Sequence, residues 1–142
     1  MAHMPVRFSA ALPAAEGRPV IDCGDNSWAF QWTRSTGSSI RGITFRNCHP
    51  GPVVRLDNSM FVGISDCSFE DSGRAVRITN AVTVSIDGTN FSNCTGLEER
   101  SVLEISRGSS SRIGTLTIKN CQFKCELLFV LMLSMFNTHR CC

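Results

Sequence analysis

The chain has 142 residues, which fits one domain and leaves little room for two. A formal net charge of +2 excludes the concentrated basic surface that nucleic acid or an anionic membrane would require. A hydrophobic fraction of 42% excludes global disorder, and 17 Ser, 10 Thr and 8 Asn carry much of the polarity that charge carries elsewhere.

Residues 1–19 hold Pro5, Pro13 and Pro19 and are expected to form an N-terminal extension or cap. The small-residue stretch Phe8 to Ala15 is interrupted by Pro13 and is too weak for the apolar core of a signal peptide, so it is taken as a remnant and not a signal. Val20-Ile21-Asp22-Cys23-Gly24 then predicts a short strand and a turn. Trp28-x-Phe30-x-Trp32 alternates at a period of two and predicts a first coil or a closing cap. Both Trp are expected in the core or cap, ahead of a sugar-stacking platform.

From residue 40 a unit recurs four times. It runs Ile40-x-x-Ile43-x-Phe45-x-Asn47-Cys48, then Ile64-x-x-Cys67-x-Phe69-x-Asp71-Ser72, then Ile86-x-x-Thr89-x-Phe91-x-Asn93-Cys94, then Ile118-x-x-Cys121-x-Phe123-x-Cys125-Glu126. The last three extend back to Val62, Val84 and Leu116. Between them lies a second unit: Val54-Arg55-Leu56-Asp57-Asn58, Val76-Arg77-Ile78-Thr79-Asn80 and Leu103-Glu104-Ile105-Ser106-Arg107. The Phe-to-Phe spacings are 24, 22 and 32, the longest carrying an insertion around Thr95 to Arg100 and the run Gly108 to Ser111. Two or three short strands every 22–24 residues is the length of one coil of a parallel β-helix.

The eight residues flanking the Phe column are all polar: Thr44, Ser68, Asn90 and Gln122 before it, Arg46, Glu70, Ser92 and Lys124 after it. They are expected outward, with the Phe rings stacked inside at about the 4.8 Å strand spacing. A leucine-rich repeat would need a Leu pattern and helical segments. A β-sandwich would not explain fixed columns. Asn58 and Asn80 form one turn column, and Asn47, Asp71 and Asn93 a second, because Asn and Asp tolerate left-handed backbone.

Register also sorts the cysteines. Cys67 and Cys121 share an inward column, and Cys48 and Cys94 share another. Each pair is two coils apart, roughly 9.6 Å, beyond the 7 Å that a disulfide tolerates. Buried free thiols are therefore expected at all four. Cys94 and Cys125 fall on adjacent coils and are near enough to bridge, while Cys141 and Cys142 are tail residues, reactive or paired between chains.

Residues 126–142 change character: nine of the ten residues from Leu127 to Phe136 are apolar. That is short of the roughly 20 a membrane helix needs, so no transmembrane span is expected. The readings are a hydrophobic cap, in short helical or irregular form, a foreign tail replacing further repeats, or a membrane-surface anchor without the usual basic face.

The repeats over residues 20–125 resemble the right-handed parallel β-helix of the pectin-lyase-like superfamily, and are similar to the Phe-x-Asn and Gly-x-Ala/Val-Val repeats of polymorphic outer-membrane-type proteins. Phe45-Arg46-Asn47, Phe91-Ser92-Asn93, Gly51-Pro52-Val53-Val54 and Gly73-Arg74-Ala75-Val76 carry the resemblance. It implies an all-β solenoid of about four to five coils, part of a longer β-helix.

The best candidate cluster for a ligand lies on the outer face of the second strand column. Arg55, Asp57, Arg77, Thr79 and Glu104 all project outward there, and Arg55 and Arg77 beside Glu104 would engage uronate carboxylates. The favoured reading of these five is a solvated charge ladder, since opposite charges across strands help a sheet modestly. The leading expectation is a non-catalytic structural, adhesive or carbohydrate-binding module, extracellular or on the cell surface, with a polysaccharide or cell-surface glycan as partner. The alternatives are a polysaccharide lyase, hydrolase or epimerase, or a fragment without activity of its own. One Asp in the cluster, no nearby His and no Tyr anywhere weigh against catalysis. No catalytic residue, cofactor or metal is assigned, since three scattered His and no C-x-x-C pair offer no ligand set. Asn90-Phe91-Ser92 and Asn93-Cys94-Thr95 are glycosylation sequons and lean mildly towards secretion.

Overall fold

A computed structural model describes residues 6–9, for which only the backbone is described, and residues 17–24, 28–95, 102–106 and 114–125. The 126–142 tail, whose role as a cap was expected from sequence, lies outside the described residues, as do Cys141 and Cys142.

Fourteen short strands are described: β1 (Val6–Ser9), β2 (Val20–Asp22), β3 (Phe30–Thr33), β4 (Ser38–Arg41), β5 (Thr44–Arg46), β6 (Val54–Asp57), β7 (Phe61–Ser65), β8 (Ser68–Glu70), β9 (Val76–Thr79), β10 (Thr83–Asp87), β11 (Asn90–Ser92), β12 (Leu103–Ser106), β13 (Thr115–Lys119) and β14 (Gln122–Lys124). Every pairing is parallel, and strands three apart in sequence are neighbours. Three sheets result. The first runs β1-β4-β7-β10-β13, the second β14-β11-β8-β5-β2, and the third β12-β9-β6-β3. This is an all-β parallel solenoid of about three full turns, β4–β6, β7–β9 and β10–β12, with β1–β3 and β13–β14 flanking them. β1 lies within the stretch expected as an extension and pairs with β4.

The alternation read from sequence sets which side chains fill the bore. Phe45, Phe69 and Phe91 are fully buried, and with Phe123 they stack at 5.1, 5.3 and 4.7 Å with rings within 14° of parallel. Ile40, Ile64 and Ile86 fill the first sheet's inward column, and Val54, Val76 and Leu103 beside Leu56, Ile78 and Ile105 fill the third's. Of the flanking polar residues, Ser68 is buried at 4% exposure because its hydroxyl donates to the Glu70 carboxylate at 2.8 Å, which covers it.

All three corners share one device. Ten of the described strands are followed directly by a residue in the left-handed region. After the first sheet these are Gly42, Asp66, Gly88 and Asn120; after the second, Asn47, Asp71 and Asn93; after the third, Arg34, Asn58 and Asn80. Asn, Asp and Gly tolerate this conformation best, which accounts for their abundance at the turns. Stacked Asx side chains then bond from coil to coil: Asn80 Nδ2 donates to Asn58 Oδ1 at 3.1 Å, and Asn93 Nδ2 to Asp71 Oδ1 at 2.6 Å. The next residue turns inward and is often small with one donor. Cys67, Ser72, Thr89, Cys94 and Cys121 each donate to the carbonyl two residues earlier, at 3.2, 2.7, 3.1, 3.5 and 3.1 Å. The corner columns thus use Cys, Ser and Thr because a compact donor satisfies a strand-end carbonyl that would otherwise be buried without a partner.

Two expectations need correction. Cys48 is not a free thiol: it is disulfide-bonded to Cys23 on the preceding coil, with Cα atoms 4.9 Å apart. Counting columns only from residue 40 compared Cys48 with Cys94, two coils away. It overlooked Cys23, which the β2–β5 register sets level with Asn47. Cys67, Cys94, Cys121 and Cys125 are free thiols in this structure, so the Cys94–Cys125 bridge is not formed in it. Trp28 is the second case. It precedes β3 and is 57% exposed, whereas Trp32 stacks on Phe30 at 5.4 Å and packs against the core. The alternation that buries Phe30 and Trp32 begins only with β3.

Candidate functional site

The third sheet presents two outward columns. Register places Gln31, Arg55, Arg77 and Glu104 in one, and Thr33, Asp57, Thr79 and Ser106 in the other. The five residues singled out from sequence therefore do share one face. They do not form one cluster of interacting groups.

Arg55 bonds within its own strand, Nε donating to Asp57 Oδ2 at 2.9 Å, because residues two apart point to the same face. Asp57 is largely covered by this contact while Arg55 stays part-exposed. One coil on, the Arg77 Nε lies 3.5 Å from Glu104 Oε1 across the β9–β12 pair, an ion-pair contact without good hydrogen-bond geometry. Glu104 Oε2 is held by Nη1 of Arg74. Thr79 accepts a long 3.5 Å hydrogen bond from Ser106 Oγ.

Arg74 was quoted in the repeat but not as a site residue. It is 8% exposed and lies in the connection between β8 and β9, level with Pro52 of the previous coil. Three guanidinium groups thus meet two carboxylates on this face, and the Arg55 and Arg77 heads are its most exposed charges. Each carboxylate is thus already in contact with a guanidinium group.

Elsewhere, Asp66 pairs with Arg41 at 3.0 Å, and Asp22 accepts from Arg46 at 2.9 Å and from Asn47 at 3.2 Å. These contacts, that of Asn47 foremost, hold the Asp22 carboxyl below its ordinary value. Asp66 and Asp71 occupy turns, and Asp87 accepts from Asn120 at 2.9 Å. No group of metal-ligating side chains occurs among the described residues. No helix among them is long and apolar enough to cross a membrane.

The two sequons differ. Asn90 sits in β11 with its Oδ1 buried and without a hydrogen-bond partner among the described residues. Asn93 and Thr95 are both exposed at the corner. Burial pushes the Cys67 and Cys121 thiols up, and burial, assisted by Cys125, pushes Cys94 up to about 12.

No protein-family model matches the chain, and comparison with curated proteins and with solved structures finds no match either.

Proposed function

We propose that this chain is a non-catalytic β-helix repeat module, structural or adhesive, displayed outside the cell, whose third-sheet face meets an acidic polysaccharide or cell-surface glycan. The observation that carries this reading is the stacked Arg55 and Arg77 pair, half-exposed on a rigid parallel sheet beside carboxylates already engaged by Arg55, Arg74 and Arg77. An extended acidic polymer lying across the strands would meet one guanidinium per coil, and guanidinium groups match carboxylates in a bidentate fashion. Engaged carboxylates favour holding over proton transfer, which separates this reading from a lyase, hydrolase or epimerase.

The Cys23–Cys48 bond supports an oxidising, extracellular setting, as does the exposed Asn93 sequon. The parallel coils with Phe-x-Asn corners support a place near the right-handed, pectin-lyase-like solenoids.

The test is binding of the full chain to polygalacturonate, alginate and neutral glucans on one array. Selective retention of the acidic polymers, weakened by Arg55→Ala and Arg77→Ala and by salt, is expected. Equal retention of neutral glucans would overturn the acidic-glycan reading. New unsaturated ends lost in Arg77→Ala would overturn the non-catalytic one.

A further inference from the structure

The corner after the second sheet holds the Cys23–Cys48 bond at one end of the stack. The β2–β5 register places Cys23 level with Asn47, one residue before Cys48. At the other end the β11–β14 register places Cys125 level with Asn93, one residue before Cys94. The relation is the same diagonal with the coils exchanged: a cysteine at the turn position faces a cysteine at the inward position of the adjacent coil. In the coils between, Asn47 and Asp71 take the turn position and Ser72 the inward one.

The backbone is aligned for this diagonal at both ends. Cys23 N–H donates to Arg46 O at 3.0 Å, and Asn93 N–H to Lys124 O at 2.9 Å. Cys94 Sγ lies 3.4 Å from Phe69 O, on the inner side of the corner. Cys125 Sγ also approaches Phe91 O at 3.7 Å, and Cys94 Sγ approaches Ser92 O at 3.5 Å. Cys94 is 3% exposed and Cys125 is half-buried.

We infer that Cys94 and Cys125 form a second inter-coil disulfide in an oxidising compartment, so that the corner is stapled at both ends of the stack. The oxidant is a low-molecular-weight disulfide such as oxidised glutathione. The more accessible Cys125, as thiolate, attacks one sulfur of the small disulfide. A mixed disulfide forms and one small thiol leaves, taking up the proton that Cys125 gave. Cys94, losing its own proton, then attacks the Cys125 sulfur, and the second small thiol leaves. Two protein thiols are oxidised by two electrons, and one small disulfide is reduced to two thiols. Burial of Cys94 favours its protonated form and makes the second step the slower one.

The test uses the full chain equilibrated with oxidised glutathione, alkylated under native conditions, digested without reductant and mapped by mass spectrometry. The expected result is one peptide pair joined through Cys94 and Cys125, two hydrogens lighter than the reduced pair, besides the Cys23–Cys48 pair. In Cys94→Ser, Cys125 becomes alkylatable. Should that variant fail to fold, Cys125→Ser at the half-buried end gives the reciprocal reading, a Cys94 that reacts only in denaturant. Cys125 joined to Cys141 or Cys142, or alkylated in the natively oxidised wild type, overturns the inference.

Discussion

Phe69 and Phe123 occupy the same column, yet among the described coils one lies in the middle of the stack and the other at its end. Phe69 has Phe45 on one side at 5.1 Å and Phe91 on the other at 5.3 Å, and is fully buried. Phe123 has Phe91 at 4.7 Å and is only partly buried. The same contrast separates Ile64 and Ile86 from Ile118, and Cys67 and Thr89 from Cys121. The residue types are alike, so the difference comes from the neighbours. A coil of this solenoid is stabilised mainly by the coils above and below it, and an end coil has half of that support. A covalent bond at the end, Cys23–Cys48, acts where stacking is weakest.

The largest expected effect tests this contrast directly. Phe69→Ala removes a ring packed on both faces and is expected to cost about 3–5 kcal/mol in urea-induced unfolding. Phe123→Ala is expected to cost roughly half of that or less, because part of its surface is already in water. Equal losses would break the distinction between middle and end. Next in size is the staple. The Cys23–Cys48 bond spans 25 residues, and Cys23→Ser is expected to lower stability by about 3 kcal/mol through the larger entropy of the unfolded chain. An unchanged unfolding midpoint would mean that stacking alone holds the first coil.

Ion pairs extend the comparison to the surface. Arg74 and Glu104 are mostly covered, at 10% and 21% side-chain exposure, while Arg46 and Asp22 at the end coil are at 50% and 41%. Arg74→Met leaves Glu104 part-buried with Arg77 alone and is expected to cost about 2 kcal/mol, discounted for the water that still reaches the carboxylate. Adding Glu104→Gln should recover most of it. Arg46→Met at the exposed pair should cost clearly less than Arg74→Met by the same unfolding measurement.

These differences also mark what could be read from the amino acids. The Phe column, the inward Ile43–Cys67–Thr89 column and the Asx turns were legible, because each is a local pattern repeated at a fixed spacing. Cys23 was missed as the partner of Cys48, because it lies before the repeat settles into register. Arg74 was missed because a buried ion pair depends on how a connection folds over the next coil, which periodicity does not encode. Arg55, Asp57, Arg77, Thr79 and Glu104 were correctly placed on one face. Their pairing into Arg55–Asp57 and Arg77–Glu104–Arg74 follows from side-chain reach across strands.

A smaller effect probes the corners of the middle coils. Gly88 has φ +58°, and a Cβ there would lie 2.9 Å from Asp66 Oδ1. Gly88→Ala is therefore expected to cost about 1–2 kcal/mol, the Asp66 carboxylate moving aside while the left-handed strain remains. Gly88→Asn, copying the Asn120 of the next coil, should cost less than Gly88→Ala in the same assay. The reverse order would sink the view that backbone conformation selects residues at this corner.

The smallest effect belongs to the exposed end. The Asp22 carboxyl is held below the ordinary 3.8 by the Asn47 amide first and the Arg46 guanidinium second. A depressed value means that the carboxylate is favoured in the folded state. Its contribution is present above pH 3.8 and is lost as pH falls through the lower folded value. Carboxyl NMR should show Asp22 titrating below 3.8, with Asn47→Gly moving it back towards that value. Glycine keeps the left-handed backbone of Asn47 at φ 55°, so the variant removes the amide without straining the turn. The Arg46→Met shift should be the smaller of the two, because Asn47 Nδ2 reaches both carboxylate oxygens at 3.2 Å whereas Arg46 Nε donates to one, at 2.9 Å. A larger shift in Arg46→Met would mean that charge orders this end coil, in contrast to the hydrogen-bonded Asx ladders of the middle ones.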